Sequence, residues 1–417
     1  MKISPGRLTM PKQLALKTNP SLTEVGAEAP ALTPPPSLAH LFFSFFRLGL
    51  TAFGGPAMVA YIRKMAVEKK SWLDADAFKD GAALCQMIPG ATAMQTAAYV
   101  GLKVCGIPGA AVCYLGFGLP AFLLMLTFAA AYASTRTLPA VASAFSGLQA
   151  IIVAVIANAT LAFGKTTLKK WTHFLIAFLS AVLFGLNVNP ILVLLLATVA
   201  GLVLIKPDPA SGQTRPPAHF PSPIKLVLGV LAVYGLALLY LYFFHKNLFD
   251  LSLLMFRIDL TAFGGGFASI PLMFHEIVDV RGWLDSQTLM NGIVLGQVTP
   301  GPIVITATFI GYIIAGLPGG VVATVSIFLP SFLLLVGIAP YFERLQTSPL
   351  FNKVIRGVLC SFVGLLAAVT FRFALNVDWD LSHALLSGAT LIALLLKVDI
   401  LWVVLCGSIL SVILFQL

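Results

Sequence analysis

An eleven-residue stretch, Phe46-Arg47-Leu48-Gly49-Leu50-Thr51-Ala52-Phe53-Gly54-Gly55-Pro56, returns 210 residues later. The second copy is Phe256-Arg257-Ile258-Asp259-Leu260-Thr261-Ala262-Phe263-Gly264-Gly265-Gly266, with eight positions identical. Each copy places an arginine and then a glycine pair inside a long apolar run. Both are unfavourable in a membrane helix unless something uses them. The glycines are adjacent, whereas helix-packing motifs space them four apart. They therefore read as helix breaks, and Pro56 suits the first turn of a second half-helix.

The apolar runs are membrane segments because the chain has too little charge to cover a soluble surface. Of its 417 residues only 10% are charged, and mean hydropathy is +0.95. Read in order, the runs are 39–63, 77–104, 107–133, 139–163, 172–187 and 190–205, then 224–244, then 250–276, 287–314, 317–341, 351–374, 382–396 and 399–416. The expected fold is an all-α polytopic membrane protein of about thirteen spans, a number the composition can fill at the ~20 apolar residues a span requires. Residues 1–37, polar and proline-rich, are expected to be a disordered cytoplasmic tail. A first repeat follows at 38–205, a hydrophilic linker with one helix at 206–249, and a second repeat at 250–417. Six spans return the chain to its starting face and the seventh carries it across, so the second repeat is expected in inverted topology.

The net charge of +10 lies mostly between apolar segments, where topology explains it and nucleic acid does not. The basic residues favour a cytoplasmic amino terminus. One segment contradicts that rule: Arg63, Lys64, Lys69, Lys70 and Lys79 fall on the outer side if 39–63 is a single crossing. The five cysteines form no C-x-x-C pair and the six histidines are scattered, so no metal site or cofactor is expected. No Ser/His/Asp set and no carboxylate pair shared by both halves is present, which argues against an enzyme.

The duplication extends past the glycines. Lys70-Ser71-Trp72-Leu73-Asp74 matches Arg281-Gly282-Trp283-Leu284-Asp285, with the aspartates as expected N-caps. Gln86-Met87-Ile88-Pro89-Gly90 matches Gln297-Val298-Thr299-Pro300-Gly301, and Pro120-Ala121-Phe122 matches Pro330-Ser331-Phe332. The Pro-Gly pairs fall in mid-segment, where proline removes a helix hydrogen bond and lipid offers no substitute. Helix starts exposed in this way present amides to an anion. The candidate substrate-binding residues are Arg47, Gly54, Gly55, Pro56, Gln86, Pro89, Gly90 and Thr92, with Arg257, Gly264, Gly265, Gly266, Gln297, Pro300 and Gly301 in the second half. Guanidinium forks suit a tetrahedral dianion. Asp259 and Glu276 are the candidates for proton coupling.

The ordered set F-x-x-F-x-R-x-G-x-x-x-F-G-G-P (Phe42 to Pro56), the W-L-D turn, the Q-x-x-P-G segment and the duplication resemble the chromate ion transporter family over residues 38–417. The resemblance implies a bacterial inner-membrane protein that exports chromate and confers resistance, with two antiparallel halves and export driven by the proton motive force or membrane potential. It places Arg47, Gly54, Gly55 and Pro56 on the family's first-segment motif. The second copy departs from that motif at Gly266 and Asp259, so the two half-sites are not equivalent. Sulfate, alike in shape and charge, is a second ligand to expect, and the bilayer is the constant partner. A homodimer is an assembly open to such a chain. Uptake of sulfate or a related oxyanion, or an anion channel, are the alternatives on the same fold.

Overall fold

The computed structural model describes residues 36–53, 57–206, 223–342, 345 and 347–415. The tail up to residue 35, the linker at 207–222, and Gly54, Gly55 and Pro56 lie outside the described residues. Every regular element among those described is helical. In chain order the helices are α1 (Leu38–Thr51), α2 (Ala57–Arg63), α3 (Ala75–Met87), α4 (Thr92–Thr135), α5 (Pro139–Thr167), α6 (Trp171–Gly185), α7 (Pro190–Leu204) and α8 (Ile224–Phe244). They continue as α9 (Lys246–Thr261), α10 (Ser269–Met273), α11 (Ser286–Val298), α12 (Thr306–Ile338), α13 (Pro349–Leu375), α14 (Leu381–Leu395) and α15 (Ile400–Phe415). Five of them (α4, α5, α8, α12 and α13) are long and apolar enough to cross a bilayer.

The four segments expected at 39–63, 77–104, 250–276 and 287–314 are not single crossings. Each is a helical hairpin. If α3 ran on in line through Ile88–Ala91, Gly81 and Tyr99 would stand about 27 Å apart. Instead, a Cβ on Gly81 would fall 2.0 Å from the Tyr99 ring. The matching pair in the second half, Gly292 and Phe309, is equally close at 2.4 Å. In the first hairpin, Lys70 Nζ lies 3.3 Å from His40 Nε2, and the His40 and Trp72 rings are 5.9 Å apart. In the third, Arg257 on α9 is ion-paired with Glu276 beyond α10. The cause is local. Proline at 89 and 300 denies an amide to the continuing helix, and Gly90 (φ +113°) and Gly301 (φ +116°) adopt backbone that a side chain rarely tolerates.

A second fold-back divides the long helices. Cys105 and Gly106 leave helical geometry inside α4, as Ala315 and Gly316 do inside α12. The chain doubles back tightly enough that a Cβ on Gly101 would meet the Gly109 carbonyl at 2.1 Å, with Gly311 and Gly319 repeating the contact at 2.2 Å. Residues 92–104 thus form the return arm of the second hairpin, and 107–135 a separate long helix. The arms of the first and third hairpins end in π-turns, Lys64–Lys69 and Phe274–Val280. The expected caps are present: Asp74 accepts the Ala77 amide and Asp285 the Thr288 amide, each at 2.7 Å.

The hairpins of the two halves enter from opposite ends of the bundle. Cys105 Sγ bonds the Pro36 carbonyl at 3.4 Å, so α4 turns back beside the start of α1. The Tyr132 hydroxyl, about 40 Å further along α4, instead accepts from Asn291 Nδ2 of α11 at 3.1 Å, near the base of the fourth hairpin. Likewise α13 meets Leu202 through Lys353 at one end, and Asp279, Phe184 and Asn187 through Arg372 at the other. Packing is exchanged between halves: α13 lies on α6 and α7, and α5 on α14 and α15. Helix α8 has no buried residue and lies against α9, where the Tyr234 hydroxyl is 2.9 Å from Ser252 Oγ and the Tyr242 and Phe249 rings are 5.3 Å apart.

This path moves Arg63–Lys79 to the same end as residue 36, correcting the outer placement that a single crossing implied. Among the described basic residues, only Arg136, Lys246, Arg281 and Arg372 lie at the other end, with Arg47 and Arg257 part-way in.

Candidate functional site at the hairpin tips

The four tips converge. The Gly90 amide donates to the Ala262 carbonyl at 2.9 Å, and the Gly301 amide to the Ala52 carbonyl at 3.1 Å. These are one contact made twice, each tip of one half bonding a tip of the other. Gly90 packs on Ser331, where a Cβ would come within 2.0 Å of Oγ, and Gly301 packs on Ala121 at 2.6 Å. Gly265 faces Thr92 Oγ1 and Gly266 faces Ile303 in the same way, at 3.1 and 2.7 Å. Gly90, Ala91, Gly265, Pro300 and Gly301 are buried.

A hairpin tip presents both the carbonyl end of its first arm and the amide end of its second, and the two dipoles oppose. Here the carbonyls of Ala52 and Ala262 are occupied by the opposing tip. The amide ends are treated differently. The described return arms begin after Ala91, Gly265 and Pro302, and none has a side-chain cap. At the outer ends, α1, α3 and α11 are capped by Ser37, Asp74 and Asp285. The first amides of a helix have no acceptor within it. Helix starts without a side-chain cap therefore gather at the centre of the molecule among the described residues.

The structure sorts the sequence candidates. Pro89, Gly90, Thr92, Gly264, Gly265, Gly266, Pro300 and Gly301 are all at tips, while Gly54, Gly55 and Pro56 lie outside the described residues. Two expected donors are already used: the Gly90 amide goes to Ala262, and the Ala91 amide to Ser331 Oγ at 2.9 Å. The amides available at that tip start at Thr92. Gln297 is buried with Nε2 unpartnered, whereas Gln86 is exposed. Arg47 is exposed on α1 and makes no ion pair among the described residues. Arg257 is held by Glu276, which also binds Arg281. Glu276 thus bridges two guanidiniums, and a small cavity lined by Asn189, Pro190, Thr261, Arg257 and Glu276 borders the group.

Sequence reading named Asp259 but missed the side chains gathered around it. Asp259 is fully buried and its Oδ2 accepts the Ser331 amide at 2.8 Å and the Ser331 hydroxyl at 2.6 Å. Gln95 Nε2 donates to the Pro89 carbonyl at 2.7 Å, and the Tyr114 hydroxyl to the Phe328 carbonyl at 2.7 Å. The signal was available in the aligned pair Pro330-Ser331 and Pro120-Ala121, where a polar residue replaces an apolar one.

The architecture defines a polytopic helical membrane protein of two related halves with an amide-rich centre. The chain belongs to the chromate transporter family, whose profile matches it twice, at residues 39–202 and 249–412. It is 42% identical over 378 residues to an uncharacterized transporter of Methanocaldococcus jannaschii, covering 90% of this chain and 94% of the relative. It is 31% identical to a chromate transport protein of Cupriavidus metallidurans, covering 91% and 92%, and 30% identical to a probable chromate transport protein of Synechococcus elongatus, covering 86% and 90%. No solved structure matches.

Proposed function

We propose that the protein is a secondary active transporter exporting chromate across the bacterial inner membrane, conferring chromate resistance. The observation that carries this reading is the reciprocal pair Gly90–Ala262 and Gly301–Ala52. It joins the halves at mid-depth and leaves return-arm amides for a doubly negative guest. Replacing two crossings by two hairpins in each half leaves the parity unchanged, and α8 still carries the chain across. The halves are thus an inverted-topology pair, and rocking one against the other would expose the tips to alternate faces. The amino terminus is cytoplasmic, because the basic end of the bundle is the end it occupies.

The half-sites are unequal. Arg47 has no carboxylate partner, whereas Glu276 engages Arg257. Arg47 and the Thr92 hydroxyl and amide are therefore the principal contacts, with sulfate as a competing ligand. Chromate uptake into inside-out vesicles tests this. Arg47→Gln should lower uptake at least about tenfold, the scale of one charge-assisted hydrogen bond of roughly 1.5–3 kcal/mol, and Arg257→Gln should lower it less. Undiminished uptake in Arg47→Gln would remove the site, and flux that neither saturates nor responds to the membrane potential would indicate a channel.

A further inference from the structure

The polar group at Asp259 exists at one of two pseudo-equivalent places. Its counterparts in the other half are Gly49 for Asp259 and Ala121 for Ser331. Asp259 is 0% exposed and Gln95 is 0% exposed. Asp259 Oδ1 and Gln95 Oε1 have no hydrogen-bond partner. Both are acceptors. No Lys, Arg or His pairs with the carboxylate among the described residues. The groups facing it are Ser331 on α12, Tyr114 on α4 and the Gly90 tip, where a Cβ would lie 3.1 Å from Oδ2. Arg257 on its own helix is turned to Glu276, and Tyr234 on α8 is turned to Ser252.

We propose that Asp259 takes up a proton when the oxyanion binds, so that proton and anion cross the membrane together. The inference rests on the transport reading above and adds how the proton and the anion are linked, and with what sign. A carboxylate at the tip where the anion binds repels it, and neutralising either charge favours the other's presence. The proton passes from water to a carboxylate oxygen, and no other bond changes. A metal cation fits less well, since the Pro89 and Ser331 carbonyls already receive Gln95 Nε2. A dianion with one proton carries a single net negative charge, which an inside-negative potential drives outward. Exchange of an entering proton for a leaving anion would instead require the two to compete. Like-charge repulsion gives the opposite linkage.

The test is proton uptake on adding sulfate, which stays dianionic, to purified full-length protein in weakly buffered detergent. Wild type should take up about half a proton per sulfate at the free carboxylate's midpoint and approach one at pH between the free and the sulfate-bound midpoints, and sulfate should bind more tightly as pH falls. Asp259→Asn should bind sulfate with little pH dependence and take up no proton. Ser331→Ala copies the first half and removes the donors' hydroxyl. It should raise the midpoint pH of uptake, a shift that a merely structural role would not produce. Sulfate binding with proton release, or with uptake unchanged in Asp259→Asn, would overturn the coupling alone. Uptake that requires sodium would assign the site to that cation. If neither sulfate nor chromate binds the wild type, the transport reading falls with it.

Discussion

At the scale of single residues, the tip glycines are irreplaceable for two independent reasons. Gly90 and Gly301 have φ near +115°, at +113° and +116°, and a Cβ on either would strike Ser331 or Ala121 at 2.0 or 2.6 Å. Gly90→Ala and Gly301→Ala are each expected to cost about 1–3 kcal/mol, read as a lower unfolding midpoint in detergent. Gly229→Ala is the control. It sits in α8 with nothing within 4 Å, and should leave stability unchanged or raise it by up to about 1 kcal/mol. These glycines stand out in the sequence because proline adjoins them. What the sequence does not display is which amides remain available: Gly90 and Ala91 resemble ideal anion donors until Ala262 and Ser331 are seen to take them.

At the scale of elements, the hairpins are the point on which the apolar pattern is silent. A run of some 25 apolar residues has the same hydropathy whether it crosses or folds back at its middle. Length alone selects the crossing. One feature of the chain disagreed with that choice. It was the basic run from Arg63 to Lys79, which no longer conflicts with the positive-inside rule once the first segment turns back. The W-L-D turn raised no such conflict: its aspartates cap α3 and α11 as expected. By contrast, 107–133, 139–163, 224–244 and 351–374 were legible, because α4's second leg, α5, α8 and α13 are continuous through them. Asp74→Ala and Asp285→Ala should each destabilise by about 1 kcal/mol, the usual worth of an N-cap, measured by thermal unfolding of the purified protein. Loss well beyond that would mean the bases of the hairpins hold more than a helix start.

For the molecule as a whole, the exchange of packing between halves explains why two copies fused in one chain behave as one body. Each half's long helix is seated on the other half's short pair, and each tip bonds the other's tip. Arg372 closes one end, joining Asp279 at the base of the third hairpin to Asn187 and the Phe184 carbonyl of the first half. A rocking motion must open this joint when that end opens. Arg372→Ala is expected to favour the state open at that end, seen as faster alkylation of a cysteine placed at Asn187. Unchanged alkylation would leave the joint structural.

The central claim is that the halves insert paired hairpins from opposite faces and touch at their tips. Sided labelling of single cysteines at Ser37, Lys69, Lys246 and Gln287, in a background without the native cysteines and in right-side-out and inside-out vesicles, tests it most directly. The account predicts that positions 37 and 69 react from one face, and 246 and 287 from the other. Opposite sidedness for 37 and 69 would contradict it.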